Sequence, residues 1–154
     1  MGTALLLPAL FGYSAADAQH VDPNKVPQAV KTAFTSKFPK AEAPTWEMED
    51  GKDYEAEFKE LGSERSATFD ATGKWLETES GIQTVALPAS VSRTIAANYA
   101  DRKITDVERV ETSDRGILYE VELAKGKDIL EVQLDTNGKV LGSEQETKKE
   151  EDND

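Results

Sequence analysis

The sequence has no cysteine and only one histidine, His20, and these shortages exclude most residue-based chemistry. Without cysteine the chain forms no disulfide, no thiolate metal site and no cysteine nucleophile. A Ser-His-Asp triad or a histidine metal site needs a rigidly held imidazole, and His20 is predicted to lie in a flexible N-terminal segment. Glycine-rich phosphate-binding motifs and zinc-peptidase motifs are also missing. We therefore expect a protein that is not an enzyme and uses no cofactor.

Basic residues are scarce relative to acidic ones. The chain has 18 Lys and Arg against 30 Asp and Glu, for a formal net charge of −12. Such a chain repels phosphate backbones, so no nucleic-acid partner is expected. An unidentified protein or peptide of basic character, or a divalent cation, is electrostatically compatible as a partner. Acidity also has a simpler interpretation, that of keeping an exported protein soluble.

A long hydrophobic run is missing as well. The apolar stretch at residues 3–13 is too short to span a bilayer, which takes about 20 apolar residues. Together with the small-x-small pattern Ala16-Asp17-Ala18, it predicts a secretory signal peptide over residues 1–18. A buried N-terminal helix is the alternative, which Pro8 and Gly12 disfavour. We expect a periplasmic or secreted protein with no membrane span in the mature chain.

The body of the sequence contains the same pattern twice. VPQAVKTAF at residues 26–34 and LPASVSRTI at residues 87–95 place apolar residues four apart, which indicates one helical face. The proline in each suits the first turn of a helix, where its missing N–H costs nothing. The pattern predicts two tandem repeats, at residues 19–82 and 83–142. Residues 143–154 are strongly charged and are predicted to form a disordered acidic tail.

Alternating apolar and acidic residues follow each predicted helix. YEAEF at residues 54–58 and YEVEL at residues 119–123 have the period of two that is typical of half-buried strands. Asp70–Gly73 and Asp135–Gly138 have the composition of hairpin turns. The second turn resembles part of a calcium loop, but the other ligands are not at the required spacing. The sequence predicts an α+β fold of two repeats, each with one helix on one face of an about four-stranded antiparallel sheet.

The same periodicities predict the hydrophobic core. Trp46 and Trp75 are in phase with core positions, so packing is the preferred interpretation for both, ahead of ligand stacking or an interface. The predicted core residues are Phe34, Phe38, Tyr54, Phe58 and Phe69 in the first repeat and Ile95, Tyr99, Tyr119, Leu123 and Leu134 in the second.

The acidic residues between the core positions form the candidate binding surface. If the apolar residues pack beneath the helices, their neighbours point to the other face of the sheet. Paired carboxylates also serve glycosidases, but a raised pKa needs a buried carboxylate, and these are expected to be solvated. Like charges on adjacent strands reduce the stability of a sheet. A binding role would explain why the protein tolerates this cost, and a need for solubility would explain it nearly as well. The predicted partner-binding residues are Glu55, Glu57, Glu120, Glu122 and Glu131.

These motifs resemble the PepSY-like family described as β-lactamase-inhibitor-like. The residues that carry the resemblance are VPQAV (26–30), LPASV (87–91), YEAEF, YEVEL, FDATGKWLETES (69–80) and LDTNGKVL (134–141). The resemblance covers roughly residues 25–142 and implies an exported protein of a Gram-negative bacterium with tandem α+β repeats. It implies a binding protein, with an inhibitor or chaperone-like regulator of an exported hydrolase as the alternative.

Overall fold

The computed structural model describes residues 19–49 and 51–146, which form two helices, a short 3₁₀ turn at Thr84–Ala86 and nine strands. All the strands belong to one antiparallel sheet, in which every strand pairs with its neighbours in the sequence. The helices are α1 (Gln28–Lys37) and α2 (Ala89–Asn98). The strands are β1 (Gln19–His20), β2 (Thr45–Glu49), β3 (Asp53–Glu60), β4 (Ser63–Phe69), β5 (Trp75–Gly81), β6 (Lys103–Thr112), β7 (Gly116–Lys125), β8 (Asp128–Asp135) and β9 (Val140–Glu146).

Each helix begins directly after a proline, as the sequence predicted. The carbonyl oxygen of Pro27 accepts the first helical hydrogen bond from the N–H of Lys31 at 3.1 Å, and Pro88 accepts one from Ser92 at 3.0 Å. Proline is favourable there because the N–H it lacks has no partner inside a helix. The apolar spacing of four then turns one face of each helix toward the sheet. The buried helical side chains are Val30 and Phe34 in α1 and Val91 and Ile95 in α2.

Two hydrophobic cores lie between the helices and the sheet, one under each helix. The predicted core is confirmed, except that Tyr54 and Tyr99 are only partly buried. Trp46 is buried, as expected. Trp75 packs at the margin of the first core, where the Nζ atom of Lys37 lies 3.7 Å from the centroid of its ring. That geometry is a cation–π contact, which shields the partly exposed indole.

The two predicted hairpin turns also support the helices. The Asp70 carboxylate accepts hydrogen bonds from the backbone N–H groups of Thr72 and Lys74, and Asp135 makes the equivalent pair in the second turn. Gly73 and Gly138 have φ angles of 86° and 81°. A Cβ atom at either position would lie 2.5–2.6 Å from a carbonyl oxygen in the first turn of α1 or α2. Glycine is therefore required at both positions, for the left-handed conformation and for the close approach of the helix.

The sheet is larger than the sequence predicted. We expected a sheet of about four strands for each helix, and the structure has one continuous sheet of nine. The two groups of strands merge because β5 pairs with β6, from Glu77 opposite Thr112 to Gly81 opposite Glu108. Nothing in the alternation of either strand distinguishes an edge strand from a central one, so the pattern alone left this pairing open.

Both ends of the described chain also differ from the predictions. His20 was placed in a flexible segment, yet Gln19 and His20 form β1 and pair with Met48 and Glu47. Residues 143–146 were assigned to a disordered tail, yet they complete β9. The predicted signal peptide and the rest of the predicted tail lie outside the described residues. Among the described residues, neither helix is long and apolar enough to cross a membrane.

Candidate functional site

The five predicted binding residues lie on the face of the sheet opposite the helices. In β3, Ala56 and Phe58 point into the first core, so Glu55 and Glu57 point away from it. In β7, Val121 and Leu123 point into the second core, which turns Glu120 and Glu122 to the opposite face, and Glu131 is the cross-strand partner of Glu122. We call this surface the acidic face. Its acidic residues include Glu55, Glu57, Glu77, Glu79, Glu108, Glu120, Glu122 and Glu131, and their cross-strand partners Glu47, Asp106 and Glu144 lie on the same face.

Exposure differs strongly along the acidic face. Glu57 is exposed and Glu55 is half-buried, but only 4% of Glu120 is accessible to solvent. The expectation that these carboxylates are all solvated is therefore wrong for Glu120. The period of two assigns a side chain to one face or the other and says nothing about the neighbours that surround it there.

Three further glutamates complete the site, and the sequence reasoning missed them. Glu77 and Glu79 lie in β5, and Glu108 lies in β6 opposite Glu120 of β7. Carboxyl oxygens of Glu79, Glu108 and Glu120 lie within 4.8 Å of one another. We call these three residues the carboxyl cluster. The alternation in the segment ETES was available as a signal for Glu77 and Glu79, but only the pairing of β5 with β6 shows that the three side chains meet.

Hydrogen bonds fix the geometry around the carboxyl cluster. The side-chain Nε2 of Gln133 donates to Oε1 of Glu120 at 2.9 Å, and Oε1 of Gln133 accepts from Nη1 of Arg115 at 3.3 Å. Arg115 thereby orients the Gln133 amide, because an amide whose oxygen faces the guanidinium must present its NH₂ group to the carboxyl. On the other side of the cluster, the Ser66 hydroxyl donates to Oε2 of Glu79 at 3.2 Å.

Burial and mutual repulsion make the cluster hard to ionise. Desolvation, followed by the nearby charges of Glu120 and Glu108, raises the pKa of Glu79 to about 9. Desolvation likewise raises the pKa of Glu120 to about 8, although the hydrogen bond from Gln133 acts in the opposite direction. The pKa of Glu108 is raised by the same main cause. Glu77 also has a pKa raised by desolvation, to about 7, with Arg115 opposing the shift. Glu79 and Glu120 are consequently uncharged carboxylic acids at neutral pH.

An open groove of about 700 Å³ runs over the part of the acidic face formed by β3, β4, β5 and β6. Its lining includes Glu55, Glu57, Glu79 and Glu108. The segment before β2 and the end of the β3–β4 hairpin border it. Glu120 does not line the groove, in agreement with its burial. The groove therefore brings solvent, or a ligand, to two of the three members of the carboxyl cluster.

The carboxyl cluster has the donor chemistry of a hard cation site. Ca²⁺ and Mg²⁺ bind oxygen ligands, and three carboxyl groups could supply part of the six to eight oxygens that Ca²⁺ takes. The Gln133 NH₂ group occupies one oxygen of Glu120, which reduces what the cluster can offer to a metal. An ammonium or guanidinium group needs only acceptor oxygens at hydrogen-bond distance, and carboxylates provide these.

Several solved structures share this fold. A DUF2874 family protein of Bacteroides uniformis aligns at a TM-score of 0.71 and 20% identity, over 77% of this chain and 88% of that one. A protein of Bacteroides eggerthii described as "putative periplasmic" aligns at a TM-score of 0.72 and 20% identity, over 78% and 88% of the two chains. A BLIP-like protein of Bacteroides fragilis aligns at a TM-score of 0.68 and 25% identity, over 81% and 90%. No curated protein matches the sequence.

The family model described as "Putative beta-lactamase-inhibitor-like, PepSY-like" matches residues 14–67 and 52–142. The two matched regions together span both helices and eight complete strands, β1 to β8. This coverage agrees with the motifs at the two helix starts and in the strands that follow them. The chain therefore belongs to the PepSY-like, β-lactamase-inhibitor-like family.

Proposed function

We propose that this protein is an exported, non-enzymatic binding protein whose acidic face docks a basic segment of a partner protein or peptide. The observation that carries the proposal is the carboxyl cluster beside an open groove lined by six glutamates. Glutamates with opposite-charge partners would suit a purely structural sheet, whereas carboxyls gathered on adjacent strands repel one another when they ionise, which would cost the free protein stability. A cationic ligand would remove that cost.

Protonation explains how the empty site tolerates so many acids. Glu79 and Glu120, with pKa values raised to about 9 and about 8, keep their protons at neutral pH while the site is empty. An ammonium or guanidinium group entering the groove favours the ionised carboxylates and lowers their pKa values. Binding of a basic partner would then release protons, so its affinity should increase with pH until the free cluster ionises by itself.

The shape of the groove favours a basic chain segment over a bare divalent cation. The groove extends along Glu55 and Glu57, well beyond the three clustered carboxyls, and its volume of about 700 Å³ is far larger than an ion requires. The cluster supplies at most part of the oxygen shell of a divalent cation, and one oxygen of Glu120 already accepts a hydrogen bond from Gln133. A segment with several lysines or arginines would contact both the cluster and the other glutamates that line the groove.

The pKa pattern disfavours acid–base catalysis. A glycosidase needs one protonated carboxyl and one ionised carboxylate at the same pH, which requires environments that push the two pKa values apart. In the carboxyl cluster all three pKa values are raised, with desolvation as the main cause in each. No member of the cluster has a lowered pKa that would make it the ionised partner of a protonated carboxyl.

Two further features belong to the proposal. The apolar run and the Ala16-Asp17-Ala18 pattern support export through a signal peptide over residues 1–18, and the B. eggerthii neighbour is described as "putative periplasmic". The shared order of one helix followed by four strands supports tandem repeats at residues 19–82 and 83–142. We propose a periplasmic location and an origin by duplication.

The proposal is tested with a lysine-rich synthetic peptide as the probe, using fluorescence anisotropy at low and high salt. The parent protein should bind the peptide, more weakly at high salt because ions screen the interaction. Replacing Glu55, Glu57, Glu120 and Glu122 with glutamine should abolish binding.

A matched control removes four acids elsewhere. Glu150, Glu151, Asp152 and Asp154, which lie outside the described residues, are changed to Gln or Asn, so that the formal net charge, with every acid counted as ionised, changes by the same amount. This variant should bind like the parent. Equal loss in both variants would show a general charge effect and would contradict docking on the acidic face, as would binding of Ca²⁺ without binding of the peptide.

A further inference from the structure

The hairpin between β3 and β4 carries an unusual residue at its tip. Leu61 is 80% exposed and has a φ angle of 54°, and Gly62 beside it has a φ angle of 83°. Positive φ at both central residues is the geometry of a two-residue type I′ hairpin, for which Asn-Gly is the favoured sequence. Leucine in the left-handed region is uncommon and strained because its Cβ atom crowds the backbone.

The hairpin between β7 and β8 has a different turn, in which only the first central residue, Gly126, has a positive φ angle. Gly126 directly follows β7, as Leu61 directly follows β3, and its φ angle of 64° is similar. Glycine adopts that conformation without strain. The second hairpin thus has the unstrained residue at the equivalent position, and leucine at the first hairpin needs another explanation.

Two ion pairs and a backbone hydrogen bond lie at the base of the β3–β4 hairpin. On one face Lys59 forms an ion pair with Glu64 at 3.3 Å, and on the other Arg65 forms one with Glu60 at 2.6 Å. The backbone N–H of Glu42 donates to the carbonyl oxygen of Lys59 at 2.8 Å, so the segment before β2 also supports the hairpin. Strained residues persist where surrounding contacts hold them. Leu61 lies in solvent at the tip of this hairpin, beyond these contacts.

The base of the hairpin borders the acidic groove. Lys59 and Glu64, the pair at the base of the hairpin, line the groove together with Glu57. Leu61 follows Glu57 by four residues along the same strand, which corresponds to roughly 13 Å at the rise of an extended chain. A ligand that lies in the groove and extends past the hairpin would meet a strip of negative charge and then one apolar side chain.

We propose that Leu61 is an apolar anchor for the basic partner, and that this partner is a segment with lysine or arginine residues followed by apolar side chains about four extended residues away. The inference rests on the proposed function and adds an apolar contact to the charge contacts made in the groove. Charge in the groove sets the orientation of the segment, while burial of Leu61 adds affinity, since apolar anchors contribute most of their energy when a partner removes them from water.

The experiment uses two synthetic peptides with the same number of lysines. One carries a pair of leucines the stated distance beyond its last lysine, and the other carries serines there. By fluorescence anisotropy, the parent protein should bind the leucine peptide about tenfold more tightly, as expected from the burial of one leucine-sized surface. The substitution Leu61→Asn should remove this preference and leave binding of the serine peptide unchanged.

Two comparisons keep the test decisive. Val85, on the 3₁₀ turn, is 88% exposed, so Val85→Asn removes an apolar side chain of similar exposure away from the groove and should keep the preference.

Leu61→Asn should leave the melting temperature unchanged or raise it by about 2–4 °C, because Asn suits the left-handed position. Equal binding of both peptides by the parent, or a preference that survives Leu61→Asn, would overturn the anchor. Binding of the serine peptide tests the acidic groove separately.

Discussion

The two halves of the molecule, residues 19–81 and 82–146, have the same order of elements and fill their cores differently. The first core is aromatic: the ring of Phe34 lies 5.0–6.5 Å from those of Phe38, Trp46, Phe58 and Phe69. The second core is mainly aliphatic, with Val91, Ile95, Val107, Val121, Leu123, Val132 and Leu134. The comparison teaches that this arrangement of helix and strands depends on where the apolar side chains occur, and that their shapes are interchangeable.

The halves also contribute unequally to the acidic face. Glu79 comes from the first half, where a serine hydroxyl is its hydrogen-bond donor, and Glu120 comes from the second, where Gln133 and Arg115 support it. The carboxyl cluster lies where β5 and β6 join the two halves. The site is consequently a property of the junction, and neither half contains it alone.

The largest expected effect compares the two cores directly. Phe34→Ala should reduce the free energy of unfolding by about 3–5 kcal/mol, and Ile95→Ala by about 2–5 kcal/mol, because each leaves a cavity. Phe34 should cost more, since it also loses four edge-to-face or tilted ring contacts. Urea unfolding of both variants measures the difference. A larger loss of unfolding free energy for Ile95→Ala would mean that the ring contacts of Phe34 do not make the first core the more stable of the two.

The two turn glycines should behave alike in spite of the different cores. Gly73→Ala and Gly138→Ala should each cost about 2–5 kcal/mol, the sum of left-handed strain and a clash with the helix backbone. Gly62→Ala is the matched control, because Gly62 has a similar φ angle but its added Cβ atom would meet nothing within 4 Å. It should cost only about 1–2 kcal/mol. Equal losses in all three variants would show that the helix contacts at the turns are unimportant.

The smallest expected effect tests the junction by pH. The pKa values of Glu79 and Glu120 are raised on folding from 4.5 to about 9 and about 8. Below pH 4.5 both groups are protonated in the folded and unfolded states, so their contribution to stability is fully present. As the pH rises above 4.5, the unfolded chain ionises first, and the free energy of unfolding should fall progressively until about pH 9.

Glutamine variants provide the control for this pH dependence. Glu79→Gln resembles the protonated carboxyl, so it should match the parent in stability near pH 4.5 and exceed it increasingly as the pH rises. Glu120→Gln should act in the same direction, and the two effects should not add, because the groups repel each other across the junction. A parent protein that is most stable at pH 8–9 would contradict the buried carboxyl cluster.

Much of the fold was predictable because periodicity reports on burial. The spacing of Val30 and Phe34 predicted α1, and the alternation through Tyr119, Val121 and Leu123 predicted β7 with its buried face. The candidate site was only partly predictable. Glu55, Glu57, Glu120, Glu122 and Glu131 lie on the predicted face, but their role in binding stays a prediction, and Glu79 and Glu108 were missed. Alternation predicts the face of the sheet to which a carboxyl points, but it does not predict which strand lies beside it.

The sequence by itself determined the two helices, the hairpin turns and the division of each strand into an apolar and an acidic face. These features depend on local spacing, on proline and glycine at fixed positions, and on the hydrophobic effect. Only the tertiary structure decided that β5 pairs with β6 and brings Glu79, Glu108 and Glu120 together. It also decided that Glu120 is buried and protonated at neutral pH, because desolvation depends on neighbours from distant parts of the chain.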